Sequence, residues 1–359
     1  MASALSTQPA DGSPAAVIAG VGYWLPPTVL TNDVLGERLG VPADWLSSRT
    51  GIDQRHVVSP GMATSDLAVE AARRAMDSAG VDDVDLVIIG TTSPDRRLPG
   101  IAPTVATRLG LGTVGAFDLS AACSGFLYGL AVARGLIGAG TVRSVLVIGA
   151  ETISSYLDPQ DPSTSALFAD GAGAAVVRAG ARGAEQGEIG PVILGSDGSL
   201  SDLIHAPGGG SLHPEPGGPG SGLQRYMTMS GLPVFNNAVK RMAAASRQAL
   251  AAVGWELADV DRFVVHQANT HILKALGEML DIPFERMATN IRHVGNTSAA
   301  SVPILLAEEA AEGRIKPGDR LLLTAFGAGL AWAATTLVWP ELPYVSRPGA
   351  PGASRTTAE

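Results

Sequence analysis

Cysteine is nearly missing from this sequence: Cys123 is the single one in 359 residues. That excludes an intrachain disulfide and any cysteine-rich metal cluster, and it predicts a reducing, cytoplasmic setting. Basic charge is also in deficit. With 25 Lys and Arg against 34 Asp and Glu, the formal net charge of -9 argues against a sequence-independent nucleic-acid surface and points to small molecules or proteins as partners. No apolar run reaches the ~18 residues needed to span a bilayer, so no membrane partner is expected. Residues 1–14 are polar and rich in Ala, Ser and Pro. They lack the basic-then-apolar order of an export signal and read as a disordered lead.

What is present is apolar bulk. A 46% hydrophobic content over 359 residues supports a core too large for one compact unit, so two domains or two fused halves are expected. Residues 17–22 read as the first strand. The segment WLSSRTGIDQRH (45–56) reads as a polar loop carrying Trp45, Arg49 and Arg55. Thr64, Ser65 and Asp66 are N-cap candidates for an amphipathic helix through Met76, closed by Gly80. DLVIIGT (85–91) and SVLVIG (144–149) are short unbroken apolar runs, the pattern of strands buried on both faces of a parallel sheet. DGAGAAVV (170–177) has no phosphate-loop Lys and reads as a tight turn before a strand.

The plan repeats. Asp83-Val84-Asp85 before one buried strand is echoed by Asp259-Val260-Asp261 before Phe263-Val264-Val265, an offset of 176 residues, and Arg143 with its strand is echoed by Arg320 at nearly the same offset. Two copies of an alternating helix and strand unit predict a duplicated α/β fold, with halves at 15–185 and 186–341 and a loose tail at 342–359. Residues 206–222 (APGGGSLHPEPGGPGSG) are too rich in Gly and Pro for regular structure; they fit a loop over a site and a plain linker about equally.

Cys123 stands where an apolar run ends and a periodic apolar segment begins, so it is predicted at a helix N-terminus. Unpaired backbone N–H groups and the helix dipole there bias a thiol toward the thiolate. Taken alone, the residue fits a buried core cysteine better. The repeat directs attention to strand ends in the second half, where open α/β sheets place their sites. His266 ends the strand at 263–265, Asn296 lies in HVGNTSAAS, and Ala325-Phe326-Gly327-Ala328-Gly329 ends the strand at 321–324. Singly, each is an ordinary strand-end or turn residue. Together, a thiol, an imidazole and a carboxamide form a coherent set. Cys123 can take an acyl group from a thioester. Its own N–H and one from the 327–329 turn can hold the oxyanion. His266 and Asn296 can stabilise the enolate formed by decarboxylation without a metal.

The segments WLSSRTGIDQRH, DLSAACSGF, DGAGAAVV, APGGGSLHP, VVHQAN, HVGNTSAASVP and AFGAG carry a resemblance. In order and spacing, from about residue 17 to 339, the chain resembles β-ketoacyl-acyl carrier protein synthase III, a thiolase-fold ketosynthase. The resemblance implies a five-layered αβαβα fold, a homodimer and a catalytic triad of Cys123, His266 and Asn296. It implies that Trp45 and Arg49 flank coenzyme A, that Asn269 lines the pantetheine channel with Phe326 also at the substrate, and that the Ala328 N–H completes the oxyanion hole. Acyl-coenzyme A and a malonyl-carrier protein are the implied substrates, with no further cofactor and no metal. Thiolases use a second cysteine, absent here, and elongating ketosynthases have a second histidine where Asn296 stands. Chalcone synthases share the triad but not the surrounding motifs.

The chain departs from the family pattern at Pro162, at His271, and at Asn236 and Glu278, where arginine or other basic residues are usual. Carrier docking is therefore expected to shift toward Lys240, Arg241 and Lys274. Leu98 stands where the family often places phenylalanine that crosses the dimer to floor the acyl pocket. These departures favour a larger starter unit and priming of polyketide or other secondary metabolism. An acyltransferase without decarboxylation and a non-catalytic binding subunit are the alternatives.

Overall fold

The structure, a computed structural model, describes residues 12–183, 185–214, 226–343 and 345. The expectations for most of the lead, for 215–222 of the Gly/Pro loop and for most of the tail lie outside the described residues. Residues 206–214 carry no helix or strand.

Two mixed sheets form the frame. The first draws β1 (Ala15–Trp24), β2 (Leu86–Gly90), β3 (Gly115–Leu119), β4 (Ser144–Thr152) and β5 (Asp170–Gly180) into the order β1-β5-β4-β2-β3. The second contains β6 (Ile193–Ser196), β7 (Arg262–Val265), β8 (Arg320–Gly327) and β9 (Ala331–Val338), in the order β7-β8-β9-β6. The helices used below are α1 (Ala43–Thr50), α2 (Thr64–Ala79), α3 (Gly125–Gly138), α4 (Gly231–Val253), α5 (Thr270–Leu280) and α6 (Ser301–Ala311).

Strand pleating sorts the side chains into three apolar layers. In β2, Val87 and Ile89 face α2, packing with its Leu67, Ala71, Ala75 and neighbours. Ile88 faces the other way, into a central layer with Leu127 and Leu130 of α3, Ile304 and Leu305 of α6, and Leu321 and Leu323 of β8. On the far side of the second sheet, Leu322 and Val265 pack on Met242 of α4 and Leu276 of α5. The result is helix, sheet, helix, sheet, helix, as the resemblance implied.

The sequence repeat has a structural cause. Asp85 accepts backbone hydrogen bonds from Arg143 and Ser144 at 2.6 and 3.0 Å, tying the start of β2 to that of β4. Asp261 accepts from the Arg320 N–H at 2.8 Å, tying β7 to β8 in the same way. β2 is parallel to both neighbours, as its unbroken apolar run predicts. The copies are unequal at one edge: among the described residues, β3 is answered in the second sheet only by an isolated parallel bridge between Phe263 and Met287.

Three sequence expectations need correction. DGAGAAVV is not a turn before a strand but the body of β5, whose small residues let α6 lie close; a Cβ on Gly173 would sit 2.6 Å from the Ile304 N. The 45–56 segment is not a loop: α1 runs to Thr50 and is closed by Gly51 in the left-handed region (φ 74°), and a short strand follows at Gln54–Val57. Helix α2 is capped one residue early, at Ala63, whose N–H is taken by the Asp66 carboxylate at 2.8 Å.

Candidate active site

Cys123 lies in a single tight turn, Ala122–Ser124, between β3 and α3. Ala122 is held at φ 45°, a conformation costing a non-glycine residue roughly 1–2 kcal/mol and turning the next side chain away from the helix. The second half repeats the device 176 residues on: Ser298 has φ 51°, a tight turn covers Ser298–Ala300, and α6 follows. The two elbows meet between the sheets. Each is backed by the end of the other half's central strand. A Cβ on Gly149 of β4 would lie 2.3 Å from the Ala299 carbonyl, and one on Gly327 of β8 would lie 2.6 Å from the Cys123 N. Glycine is required at both places.

His266 follows β7, its N–H bonded to the Thr324 carbonyl, and it is 2% exposed. Its Nδ1 lies 2.6 Å from the Ser301 Oγ, which also accepts the Gln267 N–H at 3.3 Å. A hydroxyl that donates to Nδ1 leaves the ring proton on Nε2, the tautomer in which the imidazole can donate into the cavity. Burial pushes the imidazole down to about 3, so it is neutral at physiological pH. Asn296 is fixed by backbone on both sides: its N–H goes to the Leu167 carbonyl and its carbonyl accepts from Ala169. Its Oδ1 accepts the Ser298 N–H at 2.9 Å, and its Nδ2 donates to the Ala268 carbonyl at 3.4 Å with a second proton free to donate.

Cys123, His266, Asn296 and Ala328 all line one cavity of about 1010 Å³. Trp45, Arg49, Asn269 and Phe326 line it too. The Arg49 guanidinium stacks 4.5 Å from the Trp45 ring centroid, an arrangement worth ~0.5–1 kcal/mol at a surface and well suited to a planar base or a phosphate. Asn269 caps α5, accepting the His271 N–H at 2.8 Å and donating to the Arg49 carbonyl at 3.2 Å, so it ties α1 to α5 across the cavity mouth. Pro162 and His271 line the same mouth.

Two site expectations come out differently. The thiol is not biased toward the thiolate. Cys123 is half-buried at the cavity wall, but protein packed around the sulfur deprives the anion of water; burial first, with negative charge at Glu151 adding to it, pushes the thiol up to about 12, with Ser298 opposing. Leu98, expected to reach across a dimer and not into its own chain's cavity, stands 85% exposed on a surface turn. Arg241 is not a free docking cation, because it pairs with Asp197 at 2.6 Å and stacks on Trp332 at 4.5 Å. Lys240 and Lys274 are exposed.

Sequence reasoning missed Glu151, Ser298 and Ser301. Glu151, fully buried at the end of β4, was detectable as the one acid interrupting an apolar strand. Ser298 was detectable as the residue 176 positions beyond Ala122. Among the described residues, no group of three or more His, Cys, Asp or Glu is placed to hold a metal ion, and no helix is long and apolar enough to cross a membrane.

Comparison with known proteins agrees with this geometry. Residues 117–198 match the family described as 3-oxoacyl-[acyl-carrier-protein (ACP)] synthase III, and residues 250–339 match its C-terminal part. A curated relative from Streptomyces coelicolor, beta-ketoacyl-[acyl-carrier-protein] synthase III 3, is 52% identical over 91% of this chain and 98% of its own. The crystal structure of 3-oxoacyl-(acyl carrier protein) synthase III from Pseudomonas aeruginosa superposes with a TM-score of 0.86 at 45% identity, covering 91% of this chain and 99% of that one. The priming β-ketosynthase of the R1128 polyketide pathway gives 0.85 at 34% identity, covering 92% and 98%. With half its residues identical to a synthase III across nine-tenths of its length, and the thiol, imidazole and carboxamide of its sequence motifs gathered in one cavity, this chain belongs to the 3-oxoacyl-[acyl-carrier-protein] synthase III family.

Proposed function

We propose that the chain primes chain growth by decarboxylative Claisen condensation of an acyl-coenzyme A with a malonyl-carrier protein. The observation that carries this reading is the convergence of Cys123, His266 and Asn296 on one cavity that Ala328 also lines.

The reaction divides into halves. In the first, Cys123 attacks the acyl thioester, and the oxyanion is held by the N–H groups of Cys123 and Ala328 in a turn that Gly327 allows to come close. Coenzyme A leaves through the mouth, where Trp45 and Arg49 take its nucleotide and Asn269 its pantetheine arm. In the second, the malonyl thioester carbonyl accepts from Nε2 of His266 and Nδ2 of Asn296. Loss of carbon dioxide puts charge on that oxygen, and the two donors stabilise the enolate where water is excluded. The enolate carbon attacks the acyl-Cys123 carbonyl, the same oxyanion hole is reused, and the thiolate leaves and takes up one proton from solvent, replacing the one that left with the coenzyme A thiol. Neutral His266 suits this role, since a donor is needed and a cation is not.

Simple acyl transfer gives the second donor pair no work to do, and a binding subunit gives none to either pair. The starter unit is a group larger than acetyl, which the apolar residues Phe168, Val234, Phe235 and Met242 among the cavity lining would accommodate. The enzyme acts as a cytoplasmic homodimer. Support comes from the edge position of β3 with its exposed Phe117 and from the exposure of Leu98, which a partner would cover. The test is intact mass after incubation with a panel of acyl-coenzyme A thioesters, followed by malonyl-carrier protein. An acyl adduct on the Cys123 peptide, lost with stoichiometric carbon dioxide release, is expected. Absence of any adduct contradicts the proposal, and transfer without carbon dioxide would favour the plain acyltransferase.

A further inference from the structure

Asn296 can stabilise an enolate only if its carboxamide is aimed, and its own side-chain bonds aim it weakly. Oδ1 takes the Ser298 N–H at 2.9 Å, but the donor end is tethered by a 3.4 Å bond to the Ala268 carbonyl. What fixes the residue is its backbone. The N–H donates to the Leu167 carbonyl at 2.9 Å and the carbonyl accepts from the Ala169 N–H at 2.8 Å, so Asn296 is paired in parallel with Phe168 as in a sheet. Residues 166–169 form no helix or named strand of their own; they join a single helical turn, Pro162–Ser165, to β5. The aim of Asn296 is therefore set by whatever supports that connection.

The support is Arg55. Among the described residues it is the largest side chain that is fully buried, at 0% exposed, and no carboxylate there lies within ion-pair distance of it. Its guanidinium instead donates to three oxygens on separate segments. Nη1 reaches the Leu30 carbonyl at 3.3 Å, and Nη2 reaches both the Asn32 Oδ1 at 2.8 Å and the Ala166 carbonyl at 3.0 Å. Asn32 in turn donates to the Ile52 carbonyl at 2.6 Å and to the Ser47 Oγ of α1 at 2.8 Å. The side-chain stem is used as well. Gly295 sits at φ 85°, and a Cβ there would lie 3.0 Å from the Arg55 Cβ and 2.8 Å from the Ala169 Cβ. Arg55 thus packs against the residue before Asn296 while its tip holds the residue before Leu167. Burial pulls the guanidinium down to about 10, which leaves it protonated at neutral pH with its donors intact. An apolar side chain of similar volume would avoid burying a charge but would leave three oxygens without this donor.

The geometry points to Arg55 as a positioning residue: it braces the 166–169 connection so that the Asn296 carboxamide meets the malonyl thioester carbonyl, and it thereby serves decarboxylation and not acylation. Its hydrogen bonds go to Leu30, Asn32 and Ala166, and none reaches the Ala122–Ser124 turn or Gly327, which set the thiol and its oxyanion hole. Any disturbance passed through Asn32 to α1 acts on coenzyme A at the mouth, so it raises the KM for the acyl donor and leaves the acylation rate at saturation unchanged.

This inference rests on the condensation reading, and the experiment separates the two. Arg55→Met and Arg55→Lys are made in the full chain, alone and in an Asn296→Ala background. Acylation at saturating acyl-coenzyme A is followed by intact mass, then carbon dioxide release from malonyl-carrier protein, with the unfolding midpoint measured beside them. Met fills the space without donors; Lys keeps the charge, but one ammonium lacks the fork that spans acceptors on separate segments. Both variants should acylate Cys123 at nearly the wild-type rate and release carbon dioxide about 100-fold more slowly, the effect of displacing a reacting group by about 1 Å. In Asn296→Ala, either change at Arg55 should slow carbon dioxide release no further, because the group it positions is gone. A merely structural brace would slow both half-reactions alike and add its loss to that of Asn296→Ala. Either of those results, or wild-type carbon dioxide release in a folded variant, overturns the assignment. Failure of both variants to fold does so too, since it gives Arg55 to the fold alone. A wild type that acylates but releases no carbon dioxide overturns the condensation reading, and the role of Arg55 with it.

Discussion

His266 is held neutral by burial, and that fixes two outcomes. The unfolded imidazole takes up a proton near 6.5 and the folded one only near 3. Between those values the unfolded state binds more protons, so the stability contributed by this residue falls as pH is lowered from 6.5. The drop in unfolding midpoint from pH 7 to pH 5 is expected to be larger in the wild type than in His266→Gln, measured by denaturant titration. The decarboxylation rate should show no limb near 6.5, since the donor does not titrate there. Such a limb in a rate profile of the wild type would mean that the imidazole is exposed or paired with a carboxylate. Sequence reading could place His266 at a strand end but could not see this, because the shift comes from packing by both halves.

At the scale of elements, the two elbows and the strand ends behind them set the site. Gly327→Ala puts a methyl 2.6 Å from the Cys123 N and 3.1 Å from its Cβ. The turn carrying Ala328 must retreat, and acylation is expected to fall by roughly 10²–10³, the effect of losing one oxyanion donor, while circular dichroism stays native. An unchanged acylation rate would place the oxyanion donors elsewhere. Gly149→Ala, against the Ala299 carbonyl, strikes the other elbow and should lower stability as well. The Asp85 and Asp261 ties are milder. Asp85 is held below the usual carboxylate range first by the Arg143 N–H, so its contribution is present above about pH 4 and is lost as pH falls through the folded value. Asp85→Asn and Asp261→Asn should each cost about 1 kcal/mol of unfolding free energy, read from chemical denaturation. These two acids explain why the repeat was legible in the sequence: strand-start ties demand the same residue at the same spacing. The elbows were not legible, because a left-handed φ at Ala122 and Ser298 is imposed by the opposing strand ends and not by local residue preference.

For the whole molecule, a duplicated α/β fold followed from apolar strands and the repeat, the three candidate residues from motifs at strand ends, and the five layers and the triad from the family resemblance. The strand in DGAGAAVV was misread because a glycine-rich strand looks like a turn until the helix pressed against it is known. Arg241 was misread because its partner, Asp197, lies 44 positions away in sequence. The edge of β3 leaves Phe117 and Leu98 uncovered, so sedimentation is expected to give a particle of twice the chain mass, and Leu98→Asp to shift it toward the single chain. The central claim is that one cavity runs two separable half-reactions, acylation at Cys123 and decarboxylation at His266 and Asn296. It is tested most directly in His266→Ala, given acyl-coenzyme A and then malonyl-carrier protein, with intact mass and carbon dioxide release followed together. The expected result is an acyl-Cys123 adduct formed at nearly the wild-type rate that then persists, with carbon dioxide release slowed at least 100-fold. Loss of the adduct, or carbon dioxide release at the wild-type rate, would contradict it.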